Sequence, residues 1–331
     1  MLYLSVFLFF FLLRALLNNR DTKGFTLDAT LPIRGVLALF IVLHHLSLRL
    51  TYLIPEVPLF HLTEFQSWGK PIVSVFFFMS GYGLIKSYQL KGNSYLDGFL
   101  TKRMFKIMFP YIICCILYIP FNDNNISSTL SLETWKTDCP FLPSSWFVIA
   151  IFILYSFFYL SARLFSAVKN TIIFAYLLSI VMIFILMGLD FRSWWWKDLI
   201  CFNLGMSISF HEDFLRRVLL RNIMLIICFC FLLVTLILPN LLCISDNYLF
   251  PLQVVLLPVF VWQVVSMTFI SRNMFLRWIG NISYEIYLVH TAILIILHNS
   301  FGMNSSLLII LTYMLSIMCA FILNLTIRRF S

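Results

Sequence analysis

The chain has 331 residues, of which 61% are hydrophobic and 11% charged, and a formal net charge of +9. Soluble domains carry about 25% charged residues, so this composition excludes a soluble globular protein. Apolar runs recur from end to end and leave no polar stretch for a separate soluble domain. The Lys and Arg excess follows from the bias of these residues to cytoplasmic loops, and it does not call for nucleic acid. The eight cysteines include no CxxC and no metal-type cluster, so no metal is expected.

Residues 2–17, LYLSVFLFFFLLRALL, are apolar except for Arg14 and predict a short membrane helix. They lack the basic start and small-residue cleavage site of a signal peptide. A polar, basic link, NNRDTKGFTLDAT, follows. Residues 1–30 are thus an extra helix and link, and residues 31–331 form one membrane domain. Spans are predicted at 31–50, 70–89, 104–120, 143–162, 171–189, 197–210, 218–239, 248–270, 281–298 and 306–326. The 197–210 segment is short for a span. The fold class is all-α, a polytopic transmembrane helix bundle of about ten core spans plus one extra amino-terminal helix.

The loops alternate in charge. Arg20 and Lys23, then Lys86, Lys91, Lys102, Arg103 and Lys106, then Arg163 and Lys169, fall on one side. Arg216, Arg217 and Arg221, then Arg272 and Arg277, then Arg328 and Arg329 continue that side. Glu56, Glu64, Asp123, Glu133, Asp138, Asp190, Asp198 and Asp246 fall on the other. The positive-inside rule then puts the carboxyl terminus in the cytoplasm and the amino terminus outside. Cys139 and Cys243 lie near two outer loops, where a disulfide between them is open.

The span LPIRGVLALFIVLHHLSLRL carries Arg34, His44 and His45. Ionisable groups inside a spanning helix are costly and mark functional sites. Eleven residues at ~100° each bring Arg34 and His45 to within ~20° of one face, ~16 Å apart along the axis. His44 points ~80° away from that face. A neutral imidazole can take a proton from a hydroxyl, while a structural histidine bonded to a neighbouring helix is the alternative. The run Lys102-Arg103-Met-Phe-Lys106 puts Arg103 and Lys106 on one face, suited to an anionic cofactor or to anionic lipid. Glu285 and His290 lie in ISYEIYLVH, with Glu285 at about the depth of Arg34 and its natural ion-pair partner. Ser80, Gly81 and Gly83 in GKPIVSVFFFMSGYG allow close backbone approach. Trp146 and Tyr155 lie on one further helix, where an interfacial belt is the default place for Trp146.

Taken together, the set resembles the integral-membrane acyltransferase 3 family, from Leu31 onward. The family's R-x10-H resembles Arg34 and His45, and its glycine-rich second helix resembles Gly69 to Gly83. Its RxxR before Pro resembles Arg103, Lys106 and Pro110, with Lys106 replacing a bidentate Arg by a point charge. Its Trp-Phe-Leu helix resembles Trp146-Phe147-Val148 with Tyr155 downstream, and Ile151 stands where many members have Glu. Its GxISYxxYLxH resembles Gly280 to His290. The extra amino-terminal helix is not part of the family's common core.

The resemblance implies an O-acyltransferase that moves an acyl group, commonly acetyl, from acyl-CoA to a hydroxyl of a glycan. It implies acetyl-CoA bound by Arg34, Arg103 and Lys106, and His45 as base or nucleophile with Arg34, Glu285 and His290. It also implies a substrate pocket with His44, Ser80, Trp146 and Tyr155. The acceptor is then a polysaccharide or lipid-linked glycan, met in the plasma or inner membrane among membrane lipid. A proton-coupled transporter or flippase of a glycan precursor also suits intramembrane Arg, Glu and His. The chain shows no internal duplication of the kind such carriers carry. A glycan polymerase would need a larger outer loop.

Overall fold

Leu27 to Leu53 form one continuous helix, here α2, long enough at ~1.5 Å per residue to cross a bilayer. Thr26 begins it by accepting the Ala29 N–H on its hydroxyl at 3.2 Å. The computed structural model describes residues 2–17, 24–53, 63–121, 131–242, 249–267, 273–301 and 305–328. Helix α1 (Leu2–Leu17) precedes α2. After it come α3 (Gly69–Lys91), α4 (Phe99–Arg103), α5 (Phe109–Tyr118), α6 (Leu132–Thr137), α7 (Trp146–Leu164) and α8 (Val168–Gly188). The series ends with α9 (Ile200–Phe210), α10 (Glu212–Leu219), α11 (Asn222–Leu242), α12 (Phe250–Met267), α13 (Met274–Asn281), α14 (Ser283–Phe301) and α15 (Ser305–Arg328). No strand occurs among the described residues.

Among the described residues, five helices are long and apolar enough to span a membrane, or up to seven if two bent pairs each count as one span. The ten core spans expected from hydropathy are therefore not all matched by that criterion. Helix α3 shows why. It carries Lys70, Lys86 and Lys91, yet 14 of its 23 residues are buried. It sits at the centre of the bundle and meets protein on most sides, so its surface need not be lipid-like. Helix α9 has only 11 residues, too few to cross alone, and packs along α3 more extensively than any other pair in the bundle. Gly81 lies on the Phe202 carbonyl and Gly205 on that of Phe78, contacts that a Cβ at either position would block.

Helix α2 touches two cores. Ile33, Leu37 and Ile41 join the main core with α1, α3, α7, α9, α11 and α12. Val42, Leu46 and Leu50 join a second core with Ile279, Ile282, Ile286, Leu294 and Ala320. Between these contacts a stripe of α2 that carries Arg34 and His45, with Ile41 between them, turns toward internal space. The chain bends by 73° between α13 and α14, and α13 lies against α2 with Gly280 on the Leu31 carbonyl. That bend brings the start of α14 beside the stripe.

Ion pairs gather the basic connections at the end where α2 begins. Arg277 bonds Asp28, Lys86 bonds Glu212 at 2.5 Å, and Arg163 approaches Asp97 at 3.8 Å. The Arg216 guanidinium lies against Gly24. Arg20, Lys23, Glu56, Asp123, Asp246, Arg272 and Arg329 of the charge pattern lie outside the described residues. So does Cys243, while Cys139 is a buried free thiol.

Candidate active site at the junction of two cavities

Two cavities enter the bundle and share part of their walls. The inner one, about 660 Å³, is lined by Arg34, Ser80, Gly83, Ser87, Arg103, Lys106, Ile151, Tyr155, Glu285 and Arg328, among others. The outer one, about 560 Å³, is lined by His44, His45, Arg49, Gln66, Lys70, Asp138, Ser144, Trp146 and Trp194, among others. Ile41, Val73 and Tyr287 line both. Arg34, Ile41 and His45 are seven and four residues apart, so one stripe of α2 runs from the first cavity through the shared wall into the second.

Arg34 is half-buried, and its buried Nε has no hydrogen-bond partner. The expected ion pair with Glu285 is corrected by the structure. Glu285 accepts from the Asn324 amide of α15 at 2.7 Å, and no ion pair to Arg34 occurs among the described residues. A common depth in the membrane does not fix lateral neighbours, and Asn324 satisfies the carboxylate first. Arg103 is held more firmly. Its guanidinium donates to the Tyr95 hydroxyl at 2.9 Å and lies over the rings of Phe99 and Tyr155 at 5.2 and 4.8 Å. The main chain from Met104 to Met108 makes a π turn, which presents Lys106 to the same cavity. Pro110, which has no N–H to donate back to the Lys106 carbonyl, follows this turn. Among the described residues, the inner cavity thus carries four cationic side chains and one carboxylate already bonded to an amide.

His45 lies among other rings, 4.8 Å from His44 and 5.0 Å from His290 between centroids. His44 is turned off the stripe. Its Nδ1–H donates to the Phe65 carbonyl at 3.0 Å, and its ring fills the space where Gly69 has no Cβ. His290 lies behind His45 and lines neither cavity. Its Nδ1 meets the carbonyls of Tyr287 at 2.8 Å and Ile286 at 3.1 Å, so that nitrogen carries the hydrogen. The Thr291 hydroxyl meets its Nε2 at 3.0 Å. These bonds fix the ring in place beside His45, outside both cavities. Trp146 is buried rather than interfacial. It packs on Phe77 and Trp195 at 6.2 Å each and walls the outer cavity. Of the two glycines singled out after Ser80, Gly81 serves packing and Gly83 lines the inner cavity.

Sequence reasoning missed the loop before α7. Asp138 accepts the Cys139 N–H at 2.7 Å and the Ser144 N–H at 3.0 Å on one carboxylate oxygen. Burial pushes the Asp138 carboxyl above the usual carboxylate range, against the pull of those N–H donors and of Arg49. The Tyr287 hydroxyl donates to the Ser144 carbonyl at 2.5 Å. Ser144 is held at φ 60°, a left-handed conformation that costs a non-glycine residue about 1 kcal/mol. Its Oγ then stands 3.5 Å from Nδ1 of His45, although the two residues are 99 apart in the chain.

The acyltransferase 3 family model, an acyltransferase domain, matches residues 33–327. The chain belongs to this family of membrane acyltransferases, and α1 lies outside the matched residues. No curated protein and no solved structure matches it.

Proposed function

We propose that the protein is an O-acyltransferase of the plasma or inner membrane that moves an acetyl group from acetyl-CoA to a hydroxyl of a surface or exported glycan. The observation that carries this reading is the meeting of two differently built cavities beside His45. The inner cavity, with Arg34, Arg103, Lys106 and Arg328, suits the phosphates of a CoA thioester. The basic loops at that end face the cytoplasm under the positive-inside rule, where acyl-CoA is made. The outer cavity, with the rings of Trp146 and Trp194 beside amide and hydroxyl groups, suits a sugar from the far side. The shared wall of Ile41, Val73 and Tyr287 is apolar and confined, which favours a short acyl group.

In the transfer step, Nε2 of His45 takes the proton of the acceptor hydroxyl as its oxygen attacks the thioester carbon. A new C–O bond forms and the C–S bond breaks. The CoA sulfur leaves with the electron pair and takes up the proton. The acceptor is a polysaccharide or a lipid-linked glycan. Family membership favours this over a carrier for a glycan precursor, which would move its cargo without acetyl-CoA.

Mass spectrometry of surface glycans tests the reading. Cells with the intact chain show acetylated sugar residues, and cells with His45→Ala, at equal protein level in the membrane, lose the acetyl mass. Unchanged acetylation in His45→Ala would remove His45 from the mechanism.

A further inference from the structure

The geometry points to Ser144 as a positioning residue for His45: its hydroxyl accepts the hydrogen on Nδ1 and leaves Nε2 free to act as base. This role rests on the acyl-transfer reading above. Three observations converge on it. The Ser144 Oγ lies 3.5 Å from His45 Nδ1, a long hydrogen bond of the kind that tightens when substrate binds. The other polar atoms of Ser144 are already committed, its N–H to Asp138 and its carbonyl to the Tyr287 hydroxyl. Its backbone is left-handed, a conformation in which glycine is the residue of least strain, and yet a hydroxyl-bearing residue occupies it.

The remaining surroundings of His45 leave Ser144 as the group that meets Nδ1. His44 is bonded to Phe65, and His290 bonds its own helix and Thr291. Nε2 of His45 is not among the buried atoms left without a partner, as expected for a ring that lines the outer cavity. A neutral imidazole has one N–H and one lone pair, and whichever nitrogen is bonded to an acceptor keeps the hydrogen. A serine hydroxyl can donate as well as accept; in the proposed arrangement it accepts from Nδ1–H, so the lone pair on Nε2 faces the acceptor hydroxyl. Asp138 and Tyr287 act one step further back, by fixing the loop that carries Ser144.

Ser144→Gly separates this role from a structural one. Both anchors of the loop are backbone atoms, so glycine keeps them, relieves the left-handed strain and removes only the hydroxyl. The assay uses membranes carrying the full chain, acetyl-CoA labelled in its acetyl group, and counting of the glycan fraction per amount of enzyme. The expected result is a fall in kcat of about ten-fold or more, with KM for acetyl-CoA and the thermal unfolding midpoint unchanged or the midpoint raised. Ser144→Asn tolerates the same backbone and carries an acceptor oxygen on a slightly longer arm, so it restores a large part of the rate. A Ser144→Gly protein within two-fold of the wild type overturns the role while acyl transfer stands. So does a Ser144→Asn protein no faster than Ser144→Gly. Absence of labelled glycan with the wild type itself overturns the acyl-transfer reading, and this role with it.

Discussion

Arg34 is a half-buried guanidinium whose Nε lacks a partner, and no carboxylate is paired to it among the described residues. A partly buried charge without a counter-ion is destabilising, because some of its hydration is lost and nothing replaces it. Such a cost is expected where a ligand supplies the missing charge. Arg103 differs, because Tyr95, Phe99 and Tyr155 already hold it, and its own packing supports the fold. Removing the Arg34 charge should therefore harm binding and spare stability. For Arg34→Gln, loss of a charge-assisted bond of about 1.5–3 kcal/mol raises KM for acetyl-CoA by roughly ten- to hundred-fold. The unfolding midpoint without ligand stays equal or rises. Initial rates over a range of acetyl-CoA concentrations and a thermal melt check both. A lowered midpoint with KM unchanged would make Arg34 a structural cation.

At the scale of the element, α2 is the part that spans both cavities, and Ile41 is its residue at their shared wall. Ile41→Ala removes three carbons from that wall next to Val73 and Tyr287. The variant should accept butyryl-CoA at a rate approaching that for acetyl-CoA, whereas the wild type should strongly prefer acetyl-CoA. Competition between the two donors, read by mass spectrometry of the product, measures the ratio. An unchanged ratio would mean that acyl length is set elsewhere. The alignment of Arg34 with His45 was legible in the sequence because it depends only on the helical period. The same rule placed His44 off the stripe. What the period does not contain is the neighbour on another helix. Asn324 took the Glu285 carboxylate expected for Arg34. Ser144 reached His45 from 99 residues away through a left-handed turn that no local pattern announced. Hydropathy read α3 as one more span, and its burial at the centre is a tertiary fact.

At the scale of the whole molecule, the bundle has two ends of different character. The ends of α3 and α15 and the starts of α2 and α14 line the inner cavity, which is rich in cations. The end of α2, the start of α3 and the segments before α7 and α9 line the outer one. A donor and an acceptor can then meet without either crossing the membrane, provided the ends face opposite compartments. Single cysteines report this directly. Ser87 lines the inner cavity and Ser193 the outer one, and both are partly accessible. In a background with the exposed Cys230, and Cys243 near a predicted outer loop, both replaced by serine, Ser193→Cys should react with a membrane-impermeant maleimide on intact cells. Ser87→Cys should react only in inverted vesicles, and CoA added to those vesicles should slow its labelling while leaving Ser193→Cys in broken membranes unaffected. Labelling of Ser87→Cys on intact cells would turn the molecule over and put its cationic cavity on the side where no acyl-CoA is made, which is incompatible with transfer from a cytoplasmic donor to an acceptor on the far side.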